Sequence, residues 1–142
     1  MISELTLAEE LDRASLFADL TEEEKAALET VATLRECQKG EQIIEQGKPL
    51  RSMYIILEGG AEVKINGESV ATIPAQCLVG ETEFLDSLPG SADVTLLEAT
   101  PLIELQHAAL TELMRQQPRL GYILMCEIAR IEGRRLRAMD ER

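Results

Sequence analysis

The chain has 142 residues, of which 45% are hydrophobic and 28% charged, and its 26 acidic and 14 basic residues give a formal net charge of −12. A chain of this length and composition can bury one core, so we expect a single domain spanning residues 1–142. The negative charge argues against general binding to nucleic acid or to an anionic membrane, because both need a basic face. The longest apolar runs have five residues, far short of the roughly 18–20 that cross a bilayer.

The N-terminus and the cysteines indicate the cellular compartment. The first residues, Met1 to Glu4, lack the basic stretch with which a secretion signal begins. Cys37, Cys77 and Cys126 are odd in number and far apart, which is typical of reduced thiols rather than of a disulfide framework. We therefore expect a cytoplasmic protein whose thiols are free and mostly buried.

Residues 3–32 are predicted to form helices. Thr21 is followed three residues later by Glu24, a spacing typical of a capping box at a helix start. The acidic residues that lie between them suit the positive end of a helix dipole. Apolar residues after this start, Leu28 among them, supply a face that can be buried.

In residues 33–105 the apolar residues recur with a period of two, which is typical of strands, and glycines separate the short apolar segments. Met53 to Leu57 and Ala61 to Ile65 are predicted strands. Asn66-Gly67 follows the second of them and is a strong signal for a hairpin. Further strands are expected at Asp93 to Glu98 and Leu102 to Leu105, with a break at Thr100-Pro101. Seven or eight short strands predict a small antiparallel roll, similar to a jelly roll or double-stranded β-helix.

Residues 107–140 return to a helical period. We expect one helix from His107 to Gln116 and a second, longer helix that begins at Pro118. The apolar stripe of the second helix is wide enough to face both the roll and another chain. We therefore predict a homodimer whose interface contains Leu120, Ile123, Leu124, Ile128 and Ile131. The alternative is that this helix packs only on its own domain.

The order of these regions resembles the cyclic-nucleotide-binding domain, which is the effector domain of catabolite-activator-type transcription factors, kinase regulatory subunits and gated channels. Leu16-Phe17 and Leu20-Thr21 before a Glu-rich helix are similar to the family's entry segment. The strand Met53 to Leu57, followed by Glu58-Gly59, resembles a recurrent strand of the family. The resemblance covers nearly the whole chain and implies a mostly β domain with N-terminal helices and a long C-terminal helix.

The segment from Gly80 to Val94 reads GETEFLDSLPGSADV. It is similar to the family's phosphate-binding cassette, G-E-x-x-x-L-x-x-x-P-R-[ST]-A-x-V. In that cassette a short helix presents N–H groups to the cyclic phosphate, Glu accepts from the ribose, and Arg and Ser or Thr hold the phosphate. The resemblance implies a ligand site at Gly80, Glu81, Gly90, Ser91 and Ala92.

The sequence departs from the cassette at the arginine, which is replaced by Gly90. Glu83 and Asp93 add negative charge nearby, and no lysine or arginine occurs between Ile65 and Met114, against eight acidic residues. A charged hydrogen bond lost from such a site costs about 1.5–3 kcal/mol. We therefore expect a non-enzymatic regulatory or sensor module that does not bind cAMP or cGMP and that acts through dimer or protein-partner contacts.

One alternative is a genuine sensor of cyclic nucleotide, or of another small anion, with a borrowed cation. Arg51 or an arginine of the terminal helix, from either chain of a dimer, is the candidate cation. A DNA contact by the arginine-rich end is not expected, because acidic residues are interleaved with the arginines and no helix-turn-helix segment follows Arg142.

Enzymatic activity is not expected. A similar roll occurs in metal-dependent cupins, but those need two or three histidines, and His107 is the single histidine here. We interpret His107 as a helix cap or first-turn residue, and Cys37 and Cys77 as core thiols. We predict no catalytic residues, no metal and no cofactor.

Overall fold

The computed structural model describes residues 5–140. Three helical segments come first, α1 (Leu7–Arg13), a 3-10 turn (Ser15–Phe17) and α2 (Glu22–Glu29). Eight strands follow, with one helix among them: β1 (Ala32–Cys37), β2 (Gln42–Ile44), β3 (Ser52–Ile56), β4 (Ala61–Ile65), β5 (Glu68–Ile73), β6 (Cys77–Val79), α3 (Glu81–Asp86), β7 (Asp93–Leu96) and β8 (Thr100–Gln106). Helices α4 (His107–Gln116) and α5 (Pro118–Asp140) end the described chain.

The strands form two four-stranded sheets, in the orders β1-β8-β3-β6 and β2-β7-β4-β5. Every pairing within them is antiparallel. The predicted fold class, an antiparallel β-roll with N-terminal helices and a long C-terminal helix, is therefore confirmed.

Strand β3 divides the core into two parts. All five of its residues are buried, and successive side chains of a strand point to opposite faces of the sheet. Met53 and Ile55 lie in a cluster shared with the helices, whereas Tyr54 and Ile56 lie in a second cluster inside the roll. The roll therefore has a core of its own, and the helices are held on its outer face.

Most of the predicted boundaries agree with the structure. Thr21 caps α2 through the expected box with Glu24, and Asn66 and Gly67 have positive φ angles at the β4–β5 turn. The break predicted at Thr100-Pro101 is wrong, because both residues belong to β8. Strand β7 ends instead at Leu96, and the interruption falls on the three residues that follow it.

Helix α5 packs against its own domain along most of the stripe that we predicted as a dimer surface. Leu120, Leu124 and Ile128 are at most 1% exposed and belong to the core shared with the 3-10 turn and α4, and Ile123 and Ile131 pack partly buried against it. The first three are therefore not available as a surface in this conformation. The large apolar side chains that α5 does expose are Tyr122, Met125, Leu136 and Met139.

All three cysteines are free. Cys37 is buried as expected, whereas Cys77 and Cys126 are only half-buried, so the core assignment of Cys77 needs correction.

Among residues 5–140, no helix is both long enough and apolar enough to cross a membrane.

Candidate functional site

The predicted cassette forms a loop, a short helix and a second loop between β6 and β7. Gly80 precedes α3 with a φ of 85°, a left-handed conformation that glycine adopts without steric cost. An added Cβ there would lie 3.0 Å from the carbonyl oxygen of Ser52 on β3. Glycine therefore lets α3 start close against the sheet.

The cassette borders a cavity of about 160 Å³ that is lined by residues of both sheets. Four of the five predicted ligand-site residues, Gly80, Glu81, Ser91 and Ala92, line it. Its apolar wall comes from both sheets, and its polar wall comes from the cassette and from one residue of α5. The apolar wall contains Ile44, Val63, Ile73, Val79 and Val94.

The donors of Ser91 are both bound to Glu83. The backbone N–H of Ser91 donates to Glu83 Oε2 at 3.0 Å, and its hydroxyl donates to the same oxygen at 2.9 Å. Glu83 is 5% exposed. A carboxylate of the chain itself thus occupies the two hydrogen-bond donors of the residue that the resemblance assigns to phosphate binding.

Gly90 does not line the cavity but is tied to the loop after β2. Its N–H donates to the carbonyl of Lys48 at 2.9 Å, and its carbonyl accepts from the N–H of Gly47 at 2.8 Å. A Cβ at position 90 would lie 2.5 Å from the carbonyl oxygen of Glu45. The backbone therefore leaves no room for an arginine at this position unless the loop moves.

Asp93 also contributes to this loop rather than to the cavity. It accepts from the backbone N–H of Gln46 at 2.7 Å and from Gln42 Nε2 at 2.9 Å. The carboxylate of Asp93 is therefore bound by residues at and just after β2. Among residues 5–140, the carboxylates that line the cavity are those of Glu81 and Glu83.

Glu81 is bound by an arginine from α5. Arg135 donates to Glu81 Oε1 and, at 2.7 Å, to the carbonyl oxygen of Leu78. Its guanidinium lines the cavity. The sequence indicated the terminal-helix arginines only as a group, because nothing in it fixes which turn of α5 lies over the cassette. Arg51 borders a different groove and does not line this cavity.

A second carboxylate crowds this ion pair. Glu132 Oε1 lies 3.7 Å from Arg135 Nη1, and both Glu81 Oε2 and Glu132 Oε1 are buried without a hydrogen-bond partner. Burial, helped by Glu132 and opposed by Arg135, raises the pKa of Glu81 to about 8. One guanidinium thus faces two carboxyl groups, and a proton neutralises the excess charge.

His107 begins α4, as predicted, and contacts the cassette. Its ring is tilted against that of Phe84 on α3, with the ring centroids 5.1 Å apart. Burial lowers the pKa of His107, although Gly80 and Glu83 oppose the shift.

In residues 5–140 no group of three or more His, Cys, Asp or Glu side chains could hold a metal ion.

Comparison with known proteins identifies this architecture. The model of the family described as the cyclic nucleotide-binding domain matches residues 34–117. The chain belongs to this family. A cAMP-dependent protein kinase regulatory subunit of Mycosarcoma maydis is 34% identical over 101 residues, which are 68% of this chain and 19% of that protein. A cyclic nucleotide-binding domain structure from Methylobacillus flagellatus has a TM-score of 0.81 at 24% identity and covers 92% of this chain and 76% of that one.

Some relatives in which this domain occurs are enzymes. Glutaminase 2 of Bradyrhizobium diazoefficiens is 28% identical over 131 residues, which are 92% of this chain but 21% of that protein. The chain spans less than half the length of each of six curated relatives. The match therefore covers the cyclic nucleotide-binding domain and leaves most of the glutaminase unmatched.

Proposed function

We propose that this domain is a regulatory module that does not bind cAMP or cGMP at physiological concentrations and that its cassette is held by its own side chains. The observation that carries the proposal is the pair of hydrogen bonds from Ser91 to Glu83. Glu83 acts here as a built-in anion on the donors that a cyclic phosphate would need. Arg135 likewise occupies Glu81, the residue that the family's motif assigns to the ribose.

Electrostatics supports this proposal. A phosphate bound to Ser91 would lie beside the Glu83 carboxylate, and two like charges about 4 Å apart repel by roughly 4 kcal/mol in surroundings of intermediate polarity. A charged hydrogen bond contributes about 1.5–3 kcal/mol, so the gain does not offset the repulsion unless Glu83 moves away.

The small volume of the cavity also argues against nucleotide binding. Its volume is about 160 Å³, whereas small-molecule sites begin at roughly 300 Å³. Arg135 also reaches across from α5 to Glu81 and to the carbonyl oxygen of Leu78. Entry of a nucleotide thus requires the contact between Arg135 and Glu81 to open.

The output of such a module is contact with another protein chain, and we propose a homodimer through α5, in the cytoplasm. The exposed apolar side chains Tyr122, Met125, Leu136 and Met139 fall on two positions of a seven-residue repeat, which is the spacing of a helix–helix seam. The proposed interface is this exposed face, in place of the face that contains the buried Leu120, Leu124 and Ile128. Ile123 and Ile131 stay with the face that packs on the domain.

A second candidate is a genuine cyclic-nucleotide sensor that uses Arg135 as the phosphate cation. The position of Arg135 on the cavity wall favours it, and its side chain is 38% exposed. An argument against this candidate is that the guanidinium of Arg135 already binds Glu81 and the carbonyl oxygen of Leu78.

Titration calorimetry with cAMP and cGMP distinguishes the two candidates. If Glu83 and Arg135 occupy the cassette, we expect no saturable binding up to millimolar nucleotide. If Arg135 instead serves as the phosphate cation, we expect binding that is lost in Arg135→Ala and kept in Arg137→Ala, a variant of an exposed arginine. A dissociation constant below about 10 μM for the unaltered chain, equivalent to roughly −7 kcal/mol, would overturn the first proposal.

Sedimentation equilibrium tests the dimer independently of any nucleotide. Leu136→Gln places a polar group on the proposed seam, and Ala138→Gln places the same group two residues away on an exposed position of the helix. We expect the first variant to dissociate and the second to remain dimeric. A monomeric unaltered chain at tens of micromolar would exclude the interface.

A further inference from the structure

A second, larger cavity lies outside the cassette, between the 3-10 turn, β6 and α5. Its volume is about 330 Å³, which is within the range of small-molecule sites. Leu16, Ile55, Leu78 and Ile131 form its floor and walls. We call this cavity the helix groove. It is mostly apolar, and its few polar groups are concentrated on α5 and at the start of β6.

The charged residues of the helix groove differ in how they are partnered. Glu127 lines it but pairs with Arg130, and Arg135 lines it while bound to Glu81. Arg134 also lines the groove, and in the described part of the chain it makes no hydrogen bond or ion pair. The groove therefore offers an apolar interior with one uncompensated guanidinium at its edge.

We propose that the helix groove binds a compact anionic amphiphile, a straight-chain carboxylic acid of about eight to ten carbons, with its tail on the apolar walls and its carboxylate on Arg134. The length follows from the volume. About 30 Å³ is the share of one water molecule in the liquid, so 330 Å³ holds roughly eleven non-hydrogen atoms of similar size. Guanidinium is the side chain best suited to a carboxylate, because it binds both oxygens at once.

The helix groove and the cassette cavity share one residue. Arg135 lines both, so a carboxylate held by Arg134 lies beside the guanidinium that binds Glu81. The proposed ligand thus sits next to the contact that joins α5 to the cassette. Its binding does not depend on whether the cassette accepts a cyclic nucleotide, so the two proposals fail separately.

Titration calorimetry with decanoate below its micelle concentration, on the full chain, is the direct test. We expect one saturable site with a micromolar dissociation constant, and weaker binding of decanol, which lacks the charge, and of butyrate, which lacks the tail. Arg134→Ala should weaken decanoate binding about tenfold, as expected for a solvent-accessible charged hydrogen bond. The matched control Arg137→Ala, an exposed arginine that does not line the groove, should leave it unchanged.

Two further measurements locate the site. Ala138 is exposed and lines the groove, so Ala138→Phe fills the groove without altering the core and should abolish binding. Cys77 also lines it, so decanoate should slow the reaction of Cys77 with a thiol reagent in a Cys126→Ser background. Absence of saturable binding, equal losses from Arg134→Ala and Arg137→Ala, or unaltered binding by Ala138→Phe would each overturn the proposal.

Discussion

The guanidinium of Arg135 binds Glu81 across 54 positions of sequence and joins the terminal helix to the first residue of the cassette helix. The same guanidinium bonds the carbonyl oxygen of Leu78 at 2.7 Å, on the strand that leads into the cassette. Arg135 therefore fixes α5, β6 and α3 relative to one another. Any movement of the cassette relative to α5 therefore has to break this contact or carry the helix with it.

Removing the guanidinium should destabilise the domain. Arg135→Ala leaves the carboxyl group of Glu81, which is 3% exposed, without its charged partner, and we expect a loss of about 2 kcal/mol in the free energy of unfolding. The loss is no larger because the Arg135 side chain is 38% exposed and water partly screens its charge. Urea unfolding measures the change. Arg137→Ala, on the exposed side of the helix, should stay within about 0.5 kcal/mol, and equal losses in both variants would show that the contact contributes nothing.

Stability should fall as pH rises from 7 to 8. The folded pKa of Glu81 is raised to about 8 from a usual 4.5, so between these values the native state keeps a proton that the unfolded chain has lost. The free energy of unfolding then decreases with pH, by up to about 1.4 kcal/mol per unit, and we expect a loss of about 1 kcal/mol over this interval. Chemical unfolding at pH 7, 7.5 and 8 measures it.

Glu81→Gln is the matched variant for this titration, because an amide keeps the oxygen that accepts from Arg135 but cannot lose a proton. Its stability should be nearly constant from pH 7 to 8. The lowered pKa of His107 acts in the opposite direction and at lower pH, since stability is lost there as pH falls through the unfolded value. An unaltered chain whose stability is flat between pH 7 and 8 would contradict the raised pKa of Glu81.

The order of the elements and the location of the cassette could be predicted because each depends on short stretches of sequence. The hairpin at Asn66-Gly67, the capped start of α2 and the segment from Gly80 to Val94 are all local patterns. The contact between Glu83 and Ser91 also spans only eight residues. The extra carboxylate of Glu83 could be recognised from the sequence. Its contact with Ser91 could not, because the direction of the Glu83 side chain depends on the turn that follows α3.

The role of α5 could be predicted only in part. Its period showed a wide apolar stripe, yet the stripe alone does not say which side meets the roll. The structure buries Leu120, Leu124 and Ile128 and exposes Tyr122 and Leu136. Likewise, the sequence does not show which arginine of α5 binds Glu81. That depends on which turn of α5 lies over the cassette, and the two residues are 54 positions apart in the chain.

The three thiols should react at different rates. Cys37 is 2% exposed, and burial, with Glu41 adding to it, raises its pKa to about 11. Because the thiolate is the reactive form, its fraction at pH 8 is about a hundredfold lower than for an ordinary thiol. With Ellman's reagent we expect two reacting groups, the half-buried Cys77 and Cys126, and a third that reacts at least a hundredfold more slowly. Cys37→Ser should remove only the slow phase, and three similar rates in the folded protein would contradict the prediction.

Gly90 should not tolerate even one added carbon. The Cβ of Gly90→Ala would lie 2.5 Å from the carbonyl oxygen of Glu45, and moving that backbone strains the two hydrogen bonds that join Gly90 to Gly47 and Lys48. We expect a loss of about 1–3 kcal/mol in the free energy of unfolding.

The control for this substitution is Gly133→Ala, in the middle of α5, where an added Cβ meets nothing within 4 Å. It should stabilise the protein by about 0.5–1 kcal/mol, because alanine is the better helix former. Differential scanning calorimetry of the two variants gives opposite shifts in Tm if the cassette backbone lies against the β2 loop. A Gly90→Ala variant as stable as the unaltered chain would show that this loop yields readily, and a cassette with an arginine at position 90 would then become accessible by mutation.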